Sequence, residues 1–203
     1  MADLPVRSLK PLTFAAGTGS FGKASGVSDL RAGVKMSMVS DGNSQLTLQA
    51  LATAPTGDSL KGLGTNHWSI EPAVLYNAQL SEHVGLEAQF GTVFATNGSK
   101  AVPTSSPDKF SGTVIYYGVG PSVDIYSNGR TRVAPVVELV GWRVVDGYST
   151  AEGGKISGIN VVNLKIGGRV AVGSSSLYVG YGKALTDATW YDELIRFEYR
   201  YGF

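Results

Sequence analysis

The 203-residue sequence has no cysteine and only two histidines, His67 and His83. Without thiols, disulfide scaffolds and cysteine-ligated metal centres are excluded. Charged residues make up 16% of the chain, below the roughly 25% of an average soluble domain. They are evenly split, 17 Lys and Arg against 16 Asp and Glu, and the net charge of +1 leaves no basic footprint for nucleic acid. No apolar run approaches the ~18 residues of a membrane-spanning helix. The opening MADLPVRSLKP lacks the apolar core of a secretory signal; a mature exported chain would lack it too, so location stays open. Gly17-Thr18-Gly19-Ser20-Phe21-Gly22 has its glycines at G-x-G-x-x-G spacing, but no helical pattern follows, which makes it a loop and not a dinucleotide site. No metal or cofactor motif is present, and no cofactor is implied.

What is abundant is glycine (27 residues), aromatics (10%) and alternation of period two. Leu30, Ala32, Val34, Met36 and Met38 alternate with Asp29, Arg31, Gly33, Lys35 and Ser37. Trp68, Ile70, Pro72, Val74 and Tyr76 likewise alternate with Ser69, Glu71 and Asn77. The same pattern marks strands at 29–38, 43–54, 67–80, 84–95, 112–126, 131–145, 158–172, 176–184 and 191–203, with a weaker one at 4–16. Connections alternate as well. Short polar turns are expected at 40–42, 81–83, 127–129 and 173–175, and long ones near 17–27, 55–66, 97–109, 146–156 and 184–190.

Strands of this length joined alternately by short turns and long loops predict an all-β fold, an antiparallel up-and-down transmembrane β-barrel. About ten strands are expected, or twelve if further strands precede them, in a single outer-membrane barrel domain covering 1–203. Both termini then lie at the short-turn end, which requires an even strand number. Aromatics near strand ends (Trp68, Tyr76, Phe94, Tyr117, Tyr126, Trp190, Tyr191, Tyr201) fit interfacial girdles. The ending, with Ile195, Phe197, Tyr199, Tyr201 and Phe203 at alternate positions, resembles the C-terminal assembly signal of bacterial outer-membrane proteins. The expected location is therefore the outer membrane of a Gram-negative cell. Expected partners are outer-membrane lipid and lipopolysaccharide, the barrel-assembly machinery and a small-molecule solute.

A more specific pattern lies within the barrel. Ser25-Gly26-Val27-Ser28-Asp29-Leu30 is followed by Pro55-Thr56-Gly57-Asp58 and then Gly62-Leu63-Gly64-Thr65-Asn66-His67-Trp68. This order, a G-x-x-D-L strand, a P-T-G-D turn and a G-x-G-x-x-x-W start to the next strand, resembles the outer-membrane family named for the meta-pathway of phenol degradation. The resemblance implies a transporter of small aromatic or hydrophobic molecules. In physical terms Pro55-Thr56-Gly57-Asp58 is a turn, with Pro fixing one dihedral and Gly admitting a positive one. A calcium or sugar contact at Asp58 is the alternative role.

With polar faces inward, the lumen-lining residues are Arg31, Lys35, Glu71, Glu87, Glu138, Lys165, Arg169, Arg196 and Glu198. Arg132, Arg200, Asp29 and Asp124 complete the inward charges. Seven cations then face six anions, which argues for ion pairs bracing the wall and against strong ion selectivity. Counting from the short turns puts Glu138 and Lys165 at one height on neighbouring strands, which predicts a pair, with Arg196 near it. The expected function is an outer-membrane channel or transporter for small, aromatic or hydrophobic solutes, not an enzyme. A lipid A-modifying hydrolase is an alternative, built on His67, Ser69 and Glu71. Consecutive same-face residues stand about 7 Å apart, however, and a serine nucleophile needs its base within about 3 Å. A structural or adhesive barrel using the polar 97–109 loop is the third reading.

Overall fold

The computed structural model describes residues 2–13, 20–96, 112–149, 154–155, 157–188 and 193–202. The 97–109 loop, the first glycines of the 17–22 segment, Trp190, Tyr191 and Phe203 lie outside the described residues. Nine long strands are present: β1 (Leu30–Ser40), β2 (Ser44–Ala54), β3 (Trp68–Gln79), β4 (Val84–Thr96), β5 (Val114–Val123), β6 (Thr131–Val144), β7 (Asn160–Val172), β8 (Ser175–Ala184) and β9 (Glu193–Tyr201). Each is hydrogen-bonded antiparallel to its sequence neighbour, in the order β1 to β9. Among the described residues the only helical element is a 3-10 turn, Ser59–Lys61, and no helix is long and apolar enough to cross a membrane. The fold is thus all-β, antiparallel and up-and-down, and the nine clear alternating segments each became one strand.

The tenth candidate behaves differently. Only Ala2–Asp3 joins the main sheet, opposite Ala32 and Arg31 of β1. The chain then rises away from it. Val6–Leu9 pairs with Ala24–Val27, and Leu12–Thr13 with Ser20–Phe21. The segments expected as a strand at 4–16 and a loop at 17–27 therefore belong to one hairpin that prolongs β1 beyond the wall. Alternation marked a strand correctly, but period two cannot say which strand it pairs with.

The even-numbered closed barrel is also corrected: the sheet is not closed. From Val34 to Ser40 no strand among the described residues pairs with the outer edge of β1, and none pairs with the outer edge of β9 from Glu193 to Arg200. With nine strands in an unbroken antiparallel meander, β1 and β9 run in the same direction, so antiparallel closure takes an odd number of strands between them. The sheet nevertheless curls until β1 and β9 face a common interior, since Lys35 and Arg196 line one cavity.

Short turns are built from local hydrogen bonds. Asp41 Oδ1 accepts from the backbone N–H of Asn43 (3.1 Å) and Ser44 (2.6 Å), with Gly42 at φ 87°. Asn128 repeats the device, accepting from Arg130 (3.2 Å) and Thr131 (2.7 Å) with Gly129 at φ 78°. Both are Asx turns followed by the residue that tolerates positive φ. Close packing inside the curl depends on glycines beneath tyrosines. Tyr178, 1% exposed, lies over Gly167 and Gly180, and a Cβ on Gly180 would come 2.4 Å from its hydroxyl.

Two outcomes follow. Gly180→Ala should cost about 1–3 kcal/mol through overpacking, read as a lower denaturant midpoint, and the penalty should vanish in a Tyr178→Ala background. The Ser44 and Asn43 donors hold the Asp41 carboxyl below the usual carboxylate range. A lowered folded-state pKa stabilises the turn above that range, and the benefit is lost as pH falls through the folded value. Hydrogen-exchange protection of Asn43 and Ser44 should therefore drop on acidification, and Asp41→Ala should abolish it at every pH.

Candidate functional site

Alternation sends charge inward and apolar groups outward. On the outside, Phe197 is 73% exposed, Val34 68% and Phe90 56%. Inside, the Lys165, Glu138 and Arg169 side chains are 13%, 18% and 23% exposed. Apolar side chains on the inward face form a second component that the polar-lumen expectation missed. Leu51, Ala73, Val136, Val140, Val144 and Val161 are buried.

The inward charges form two networks. In the first, Arg31 on β1 donates to Glu71 Oε2 on β3 (2.9 Å), and the Tyr116 hydroxyl on β5 donates to Oε1 (2.8 Å). Three alternate strands are thereby tied across the curl. In the second, Glu138 and Lys165 stand opposite each other in register, 3.8 Å apart. Glu138 also lies 3.8 Å from Arg196. Arg196 in turn pairs with Glu198, which lies 3.5 Å from Arg169, and Arg169 reaches Glu87 on β4 at 3.6 Å. Arg200 adds a further contact to Glu198 at 2.5 Å. The charges alternate in sign along this path, as groups withdrawn from water require. Tyr178 sits within it, with the Arg169 and Arg196 guanidinium carbons 5.7 and 5.6 Å from its ring centre, a cation–π arrangement.

Two neighbouring cavities lie inside. At mid-height a cavity of about 350 Å³ is lined by Lys35, Leu75, Asn77, Glu87, Gln89, Gly118, Gly120, Val136, Glu138, Val140, Lys165, Arg196 and Arg200. A second, of about 310 Å³, lies at the short-turn end and shares Asn77 and Glu87 with it. The expected near balance of inward charge does not hold at the cavity. Asp29 points elsewhere, Glu71 is held by Arg31 and Tyr116, and Asp124 pairs with Arg132 at 2.6 Å beside a short turn. Among the lining residues Lys35, Lys165, Arg196 and Arg200 remain against Glu87 and Glu138, an excess of two positive charges.

Asp29 is the residue whose role the sequence reading misassigned. It is 5% exposed, and its carboxylate holds the loop between β2 and β3. Oδ1 accepts from Gly57 N–H (2.9 Å), while Oδ2 accepts from Thr65 N–H and Thr65 Oγ1 (both 2.7 Å). Thr56 Oγ1 completes the joint, accepting from Leu30 N–H (2.9 Å) and donating to Ser28 C=O (3.3 Å). Gly64 must be glycine for this approach, because a Cβ there would lie 2.6 Å from Asp29 Oδ1. Asp58 caps the 3-10 turn, accepting from Leu60 and Lys61 N–H, and the Lys61 ammonium beside it holds its carboxyl below the usual range. The three sequence segments that carry the family resemblance are thus one folded loop anchored to β1. Tyr116 and Tyr178 also escaped notice as network members, because an inward Tyr in alternation reads as ordinary filling.

The His67, Ser69 and Glu71 set is not assembled as a hydrogen-bonded triad. Glu71 is committed to Arg31 and Tyr116, and His67 Nδ1 lies 2.8 Å from the Thr65 carbonyl. Outward aromatics stand near both strand ends: Trp68 and Phe94 at the long-loop end, Tyr76, Tyr126 and Tyr201 at the short-turn end, all exposed. Tyr117 packs over Gly141. Ile195, Phe197, Tyr199 and Tyr201 form one exposed stripe on β9.

Replacing Asp29 by Ala should release the 55–67 loop. The expected cost is about 1.5–3 kcal/mol, the worth of hydrogen bonds to a charged group, seen as a lower denaturation midpoint together with faster tryptic cleavage after Lys61. Thr65→Val should give the same direction with a smaller effect.

No curated protein matches this sequence. The family described as "Putative MetA-pathway of phenol degradation" matches residues 8–189. That span takes in the Asp29 anchor, the Pro55-Thr56-Gly57-Asp58 turn, both inward networks up to β8 and the cavity wall they form. The chain belongs to this family.

Proposed function

We propose that the protein is a bacterial outer-membrane channel that passes small solutes, aromatic or hydrophobic ones among them, through its charged interior. The observation that carries this reading is the inverted polarity of the wall. Large apolar side chains are exposed on the outside of every long strand, Val34, Leu48, Val74, Phe90, Val119, Leu139, Ile166, Val179 and Phe197 among them, while ion pairs occupy the inside. Water does not tolerate so large a continuous apolar exterior, whereas acyl chains match it. Backbone polar groups of the inner strands, β2 to β8, are paired strand to strand, as a lipid environment demands. The family name, with its reference to phenol breakdown, is compatible with a route for such substrates into the cell.

Lipid and lipopolysaccharide then contact the outer face, with the exposed aromatics at the two strand ends at its boundaries. The β9 stripe of Ile195, Phe197, Tyr199 and Tyr201 is the segment read by the barrel-assembly machinery. No catalytic step is assigned, because Glu71, the acid of the candidate hydrolase set, serves a wall brace.

Two measurements test this. Val74→Arg should destabilise the protein in lipid vesicles by about 2–4 kcal/mol if that side chain sits near mid-bilayer; an unchanged unfolding midpoint would place the face in water. Folded protein added to a planar bilayer should give stepwise current, and proteoliposomes should swell in small uncharged solutes. Absence of both current and swelling removes passage as the function.

A further inference from the structure

We propose that the mid-height cavity is a binding site for a small organic anion with an apolar body, of the aromatic carboxylate class. This deepens the channel reading and uses the same interior. Most of the inward carboxylates outside the cavity are already engaged. Among the described residues the first network and the short-turn pair consume their own carboxylates, and the Asp29 carboxylate is consumed by backbone and hydroxyl donors of the loop. The cavity lining keeps four cations, Lys35, Lys165, Arg196 and Arg200, against the two carboxylates of Glu87 and Glu138. Of the four, Lys35 has no ion-pair partner among the described residues, and it lines the cavity from β1 while Arg196 and Arg200 line it from β9. An ammonium sharing a cavity with two guanidinium groups is short of negative charge, and a carboxylate bound among them would supply it through charge-assisted hydrogen bonds.

The rest of the lining sets the shape of the ligand. Gly118 and Gly120 on β5 bring no side chain into the space, and Leu75, Val136 and Val140 add an apolar surface. The cavity therefore has a cationic side and an apolar side. Its volume of about 350 Å³ is at the lower end of the range for small-molecule sites, about 300–1,000 Å³. A flat ring bearing one carboxylate matches both sides; a neutral ring leaves the positive excess unmet, and a cationic ring is repelled.

Calorimetric titration of the detergent-folded protein with benzoate, benzyl alcohol, benzylammonium and acetate separates these terms. Benzoate is expected to bind best, benzyl alcohol and acetate about tenfold more weakly, and benzylammonium not at all. Lys35→Met should weaken benzoate about tenfold, Lys35→Glu should abolish it, and Lys61→Met on the outer loop should leave it unchanged. Equal affinity for benzoate and benzyl alcohol, any preference for benzylammonium, or indifference to Lys35→Glu overturns the site. Equal affinity for benzoate and acetate overturns the aromatic part of it. Binding is read independently of current. Bound benzoate without current or swelling removes passage and retains the site, while current without benzoate preference removes the site alone.

Discussion

The strand period of two is the constraint from which the rest of the molecule follows. Each strand must place successive side chains on opposite sides of the wall, so a sequence that alternates polar and apolar residues creates two surfaces of opposite character. In an ordinary globular protein the apolar surface turns inward. Here the sheet curls the other way, with the charged surface inside and the apolar one exposed. Charges brought inside a narrow curl are costly when single, and most of the Arg, Lys and Glu there form linked chains of alternating sign.

Those chains act as cross-ties. Backbone hydrogen bonds join only neighbouring strands, whereas the Arg31–Glu71–Tyr116 contact links β1, β3 and β5, and the longer network joins β4, β6, β7 and β9. Bulk is handled in the same economy of space: tyrosines lie over glycines, Tyr116 over Gly91 and Tyr178 over Gly167 on adjoining strands, with Gly180 two residues along its own strand beneath Tyr178 as well. The interior is left with discrete cavities between braced layers, in place of one uniform bore.

The family's motif residues do a different job from the cavity residues. Asp29, Thr56, Gly57, Gly64 and Thr65 fix the loop that follows β2, at the end of the wall away from the short turns. Their chemistry is that of a buried carboxylate accepting from N–H and O–H donors. The residues that would meet a solute lie lower, on strands whose glycines and small side chains leave room.

Strand positions, turn positions and the sidedness of nearly every residue were legible in the sequence, because period two and Asx-Gly turn chemistry are local. The Glu138–Lys165 juxtaposition was legible too, since register in a meander follows from counting residues up from the turns. Partnerships across several strands were not: Arg169 with Glu87, Glu71 with Tyr116, and Asp29 with a loop thirty residues on depend on how strongly the sheet curls and how its loops fold back. For the same reason the rising arm after Asp3 could be read as a strand but not assigned a partner. The charge of the cavity was likewise decided only in three dimensions. A count along the chain is near neutral, and only tertiary contacts determine which carboxylates are used up elsewhere and which cations are left facing open space.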